Sequence, residues 1–169
     1  MMLDKADIKI IEVELLGVCN LRCPLCLSVA PKYKDLFRFN KRPVEEWIEQ
    51  LDNYPNLHKL VIAGMATEPT LYDQIIELLQ YCNSRNIIVR LYTNGNTHDE
   101  TWWTKLGMTM KKEDECIFTI CGATEESHSR YRVGGSLNKL LLHASAFRNH
   151  NGNDRCVFIR FEYNKGEEQ

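Results

Sequence analysis

Three cysteines, Cys19, Cys23 and Cys26, crowd into the stretch GVCNLRCPLC (residues 17–26) at a C-x3-C-x2-C spacing. A thiolate is a soft metal ligand, and clustered cysteines away from an oxidising compartment suit a metal or catalysis better than disulfides. The chain's seven cysteines are an odd number, which argues the same way. A structural zinc ion wants four ligands, and no nearby Cys or His completes the set. An iron–sulfur cube can be held by three cysteines, with one iron left open for a small bidentate ligand. On spacing alone, a zinc or redox cluster and an iron–sulfur cluster both stand.

Elements of two kinds must position these thiols. Short runs rich in β-branched residues predict strands over residues 8–16, 59–63, 86–92, 115–120 and 156–163. Between them, apolar residues recur at helical spacing. Val44, Trp47, Ile48 and Leu51 follow Pro43, which suits a helix start. Ile75, Ile76, Leu78, Leu79 and Cys82 mark a second helix, and Trp102, Trp103 and Leu106 a short third. Leu137, Leu140, Leu141, Ala144 and Phe147 mark a fourth, with Ser136 as its cap. Five strands alternating with four helices predict the α/β class and a parallel sheet of right-handed βαβ units. Ligands of such sheets gather at the carboxyl ends of the strands. The cysteine stretch, GMATEPT (64–70), TNGN (93–96), CGATEESHSRYRVGG (121–135) and EYN (162–164) each follow a strand and would rim one mouth.

The charge balance narrows the function classes. Lys and Arg number 21 against 23 Asp and Glu, a formal charge of -2, with no footprint for nucleic acid or an anionic membrane. No apolar run reaches the length of a bilayer span, and the first ten residues lack the apolar core of a secretory signal. A cytoplasmic protein with no nucleic-acid or membrane partner is expected. The chain stops six residues after Tyr163, which would leave the fifth strand as a bare edge. Residues 1–169 are therefore expected to be one core domain, incomplete at its C-terminus, or with that edge covered by a missing segment or a partner.

With Leu25 before its last cysteine, the motif resembles the C-x3-C-x-Φ-C signature of the radical S-adenosylmethionine (SAM) superfamily. CNLRCPLC is similar to the branch of SPASM/Twitch-type peptide maturases and molybdenum-cofactor-type synthases. EPTLY (68–72), YTNG (92–95) and GATEESHSRYRVGG (122–135) resemble that family's later motifs, in order. The resemblance implies a partial (β/α) barrel with its sixth strand missing. It implies a 4Fe–4S cluster on Cys19, Cys23 and Cys26, and SAM as second cofactor. Leu25 would lie near the adenine, and Glu68 with the backbone before it would receive the SAM amino group. Thr119 would meet the ribose or carboxylate, and Arg132 would pair with the carboxylate. A flavodoxin or ferredoxin-type donor would supply an electron for reductive cleavage of SAM, and the resulting radical would take hydrogen from a peptide or small-molecule substrate. An inactive fragment, or a zinc or iron–sulfur module without turnover, is the rival.

Two positions depart from the pattern. Relatives usually have two glycines where this chain has Ala66 and Thr67, and often Asp where it has Cys121. Plainer roles also stand beside the sharper ones. Cys82, Cys116 and Cys156 fall in apolar runs and read as buried structural thiols. Glu68 would suit a helix cap and Arg132 a surface ion pair. Arg160, Glu162 and Asn164 share one face of the fifth strand by its two-residue period, as pocket lining or as a buried polar network.

Overall fold

The computed structural model describes residues 4–37, 39, 41–151 and 156–160. Five parallel strands lie side by side in chain order: β1 (Ile10–Val13), β2 (Lys59–Ile62), β3 (Ile88–Thr93), β4 (Glu115–Ile120) and β5 (Cys156–Arg160). Among the described residues β1 and β5 are the edges of this sheet. The helices are α1 (Val44–Asp52), α2 (Ile75–Ser84), α3 (Glu100–Thr109), α4 (Glu125–Tyr131) and α5 (Leu137–Asn151). None of the described helices is long and apolar enough to cross a membrane.

The helix count corrects the sequence reading, which has four. The added one, α4, lies in a stretch read there as loop. It is short and polar, so it carries no apolar period, and its start is set by local hydrogen bonds. Thr124 accepts from the Ser127 backbone N–H, and the Ser127 hydroxyl accepts from the Thr124 N–H, a reciprocal capping box. The cap expected at Ser136 is present: its hydroxyl accepts from Lys139 N–H at 3.2 Å.

The two faces of the sheet have different fates. Leu60, Ile62, Val89, Leu91, Cys116 and Phe118 alternate along β2 to β4 and are buried against α1, α2, α3 and α5 in one core. Cys82 and Cys116 belong to that core, as expected of structural thiols. The opposite face carries Glu12, Val61, Arg90 and Glu115 in register across four strands. Arg90 forms an ion pair with Glu115, and Lys59 Nζ approaches the same carboxylate at 3.8 Å. Parallel sheets ordinarily bury both faces. Here that face instead carries partly exposed charges, and only its Glu12, Tyr92 and Thr119 reach the cavity at the strand ends.

Two locks hold the helical layer. Asp114, just before β4, accepts from the Val89 and Lys111 backbone N–H groups, each at 2.7 Å, and so ties β3 to the turn. Trp103 is fully buried, donates from its ring to Thr97 O at 3.0 Å and stacks on His143 of α5. Gly107 of α3 lies so close to α5 that a Cβ there would collide with Phe147 O. Gly107→Ala is therefore expected to wedge these helices apart and to cost about 1–3 kcal/mol in urea denaturation, the cost of an overpacked core.

Candidate functional site

The loops at the carboxyl ends of β1 to β4 enclose a cavity of about 1100 Å³. All three motif cysteines line it, together with Leu25, Glu68, Thr119, Cys121 and Arg132. The expected site residues on four strand ends therefore meet in one place. Glu162, Asn164 and the side chains of Arg160 and Cys156, on the fifth segment, lie outside the described residues.

The cysteine loop is pinned from three sides. Glu68 N–H donates to Val18 O at 2.9 Å, and Arg22 N–H to Val133 O at 3.0 Å. Asn20 donates from its side chain to Asn96 O at 3.1 Å. Each motif sulfur also has a polar neighbour. Cys19 Sγ accepts from Leu21 N–H at 3.4 Å and from the Asn94 amide at 3.7 Å. Cys23 Sγ accepts from Arg132 Nη1 at 3.7 Å, and Cys26 Sγ lies 3.1 Å from the Ser28 hydroxyl. N–H donors and a guanidinium around sulfur are what an anionic thiolate needs.

At Cys19 and Cys23, burial makes the free thiolate costly. Burial pushes Cys19 up to about 11, with Glu68, Cys23 and Cys26 adding to the shift against the Leu21 N–H. Burial raises Cys23 as well, opposed by Arg132. A bound metal reverses this balance, because it takes thiolates and releases their protons. The donor set fits a cluster better than a single ion. Among the described residues no three of His, Cys, Asp and Glu converge closely enough to hold one metal ion, yet the three thiols face one cavity. A cube presents separate irons to separate sulfurs.

Glu68 is 1% exposed and caps the 3-10 turn Pro69–Leu71. Its Oε1 accepts from Thr70 N–H (3.1 Å), Thr70 Oγ1 (2.5 Å) and Thr93 Oγ1 (2.8 Å), and its Oε2 from Asn94 N–H (2.7 Å). The cap and the cavity position are held by the same side chain. Burial lifts its carboxyl above the usual range, against these hydrogen bonds, which favour the anion.

At the two positions where the resemblance leads to an expectation of glycine, side chains stand instead. Ala66 and Thr67 are buried, and Thr67 Oγ1 donates to Glu14, which also accepts from Met65 N–H at 2.8 Å. Gly64 lets the turn close, since a Cβ there would lie 3.0 Å from Thr67 O. Glu14 has no distinctive neighbours in sequence, and nothing short of the fold reveals its partner.

Cys121 is buried, and its Sγ accepts from Arg132 Nε at 3.1 Å. Among the described residues no carboxylate forms an ion pair with Arg132, so the surface ion pair considered for it is not what the fold makes. Thr119 Oγ1 donates to Thr93 O at 3.1 Å, joining the ends of β3 and β4. Leu25 is 69% exposed at the lip. Asn94, read in the sequence only as part of a turn, is the residue the sequence reading missed: it serves Glu68 with its backbone and Cys19 with its side chain.

Glu68→Gln would turn an amide NH2 towards the Asn94 N–H and is expected to cost about 1–3 kcal/mol, the price of a buried donor left unpaired. A raised folded-state pKa means that the native protein binds more protons than the unfolded chain above the ordinary carboxylate range. Wild-type stability should therefore fall as pH rises from that range towards the folded pKa, and Glu68→Gln should flatten the dependence in urea melts across pH.

No family model matches the chain. Mycofactocin maturase MftC of Mycobacterium tuberculosis is 28% identical over 125 residues, which are 74% of this chain and 30% of that protein. The chain thus spans about a third of the length of the curated relatives it matches. Among solved structures, Streptococcus suis SuiB bound to precursor peptide SuiA superposes with a TM-score of 0.65 at 19% identity, over 83% of this chain and 30% of SuiB. Native anSMEcpe with bound AdoMet superposes with a TM-score of 0.65 at 20% identity, over 90% of this chain and 42% of that one. These structures share the fold. The resemblance to the radical SAM superfamily, drawn from the cysteine motif, is borne out by sequence likeness to a maturase and by a shared fold.

Proposed function

We propose that this chain is the core of a radical SAM enzyme, a partial (β/α) barrel that acts on a peptide or small-molecule substrate. The observation that carries the reading is the cavity at the strand ends, where Cys19, Cys23 and Cys26 meet Glu68, Thr119 and Arg132. When bound, a 4Fe–4S cluster reduced by a flavodoxin or ferredoxin would supply the electron that cleaves SAM to methionine and a 5′-deoxyadenosyl radical, which takes hydrogen from the substrate.

The chain's own residues would bind, orient and exclude water. Cys19, Cys23 and Cys26 would each hold one iron. Leu25 at the lip would cover the adenine. Glu68 engages three donors with Oε1 but only one with Oε2, so Oε2 can still accept from an ammonium. Thr119 donates to backbone, which leaves its oxygen to accept from a ribose hydroxyl. Arg132 commits Nε and one Nη1 hydrogen to sulfur, so three of its five N–H groups remain for a carboxylate. Positioning of this kind is what a reactive radical requires, since a substrate held slightly off would lose it to solvent. A structure with a bound precursor peptide among the structural relatives favours a peptide substrate.

Anaerobic reconstitution with iron and sulfide, followed by SAM and dithionite, tests the reading. About four irons per chain and release of 5′-deoxyadenosine by chromatography are expected. Cys23→Ala should lose the cluster and bring the nucleoside to background. An intact cluster that yields no nucleoside would remove the enzyme reading and leave an iron–sulfur binding module.

A further inference from the structure

We infer that Arg132 is a positioning residue that tunes the reduction potential of the cluster, and that Cys121 aims it at the Cys23 sulfur. The inference rests on the reading above, that Cys19, Cys23 and Cys26 hold the cluster.

The geometry is a bridge between two sulfurs. Arg132 Nε donates to Cys121 Sγ at 3.1 Å and Nη1 to Cys23 Sγ at 3.7 Å. Cys121 is itself held in place: its N–H donates to Nδ1 of the fully buried His128 at 3.3 Å. Arg132 N–H donates to His128 O at 2.8 Å, so His128 fixes both ends of the Cys121–Arg132 contact. Next door, the Arg22–Val133 hydrogen bond joins this segment to the cysteine loop.

What the bridge lacks is a carboxylate. Among the described residues no acidic side chain forms an ion pair with Arg132, and the partner on its far side is a sulfur. A guanidinium keeps its charge at any working pH. Before SAM binds, its charge is therefore directed at one cluster ligand, with no carboxylate among the described residues paired to it. Adding an electron to a cluster adds negative charge, which a nearby cation and N–H···S hydrogen bonds favour. Arg132 thus makes reduction easier. Cys121 thus holds the Nε side of Arg132 with a sulfur rather than a carboxylate.

Redox titration of the reconstituted protein, followed by electron paramagnetic resonance of the reduced cluster, tests this without turnover. Arg132→Gln keeps an N–H donor but removes the charge. It is expected to shift the reduction equilibrium against the reduced form by roughly tenfold, about 59 mV for one electron. Arg132→Lys, which keeps the charge, should lie between it and wild type. Cys121→Asp should lower the potential in the same direction by neutralising Arg132, whereas Cys121→Ser should leave it near wild type. The inference falls if Arg132→Gln titrates with wild type at unchanged iron content. It also falls if Cys121→Ser shifts the potential as far as Cys121→Asp, since the contact would then be structural only. Should Arg132→Gln fail to hold iron, the Cys121 pair decides by the same criterion. If wild type itself assembles no four-iron cluster, iron analysis shows that the cluster reading has failed, and the inference goes with it.

Discussion

The buried carboxylate of Glu68 constrains the whole mouth of the sheet. A carboxylate without water must find donors from the protein, and here they come from Thr70, Thr93 and Asn94. Thr93 is the last residue of β3 and Asn94 the next, so the anion ties the end of β2 to the end of β3. Asn94 then passes the constraint on, because its side chain reaches the Cys19 sulfur and Asn20 Oδ1. One charge thus sets the height at which three loops meet.

The sheet makes that meeting possible. Parallel strands in chain order bring every carboxyl end to the same edge, and the one-step register keeps Glu12, Val61, Arg90 and Glu115 level across it. Only one face takes the apolar core. The other carries the Arg90–Glu115 pair with Lys59 beside it, partly exposed charges that satisfy one another.

Around the thiols the electrostatics are graded. Cys19 has neutral N–H donors, Cys26 a hydroxyl, and Cys23 a cation. Burial alone would keep all of this chemistry dormant, since it disfavours a lone thiolate. The donors would matter under the proposed cluster, where they would stabilise sulfur that carries negative charge.

Much of this was legible before folding. The period of the apolar residues distinguishes the strand and helix segments, because a buried face must repeat every two residues or every three to four. The C-x3-C-x2-C spacing marked the thiols as candidate ligands, since thiols so close in sequence cannot avoid sharing a neighbourhood. Helix α4 was readable too, in the Thr124–Ser127 cap, but its lack of an apolar stripe hid it among loops. What only the tertiary structure decided is who faces whom across long separations: Glu14 with Thr67, Asn94 with Cys19, and Arg132 with both Cys121 and Cys23. Those pairings depend on strand register and loop closure, which place residues 53, 75 and 109 positions apart within a few ångströms. Local sequence determines which elements form and which groups carry chemistry, because backbone propensity and apolar period act over a few residues; hydrogen bonds between distant side chains exist only after the sheet has brought its ends together.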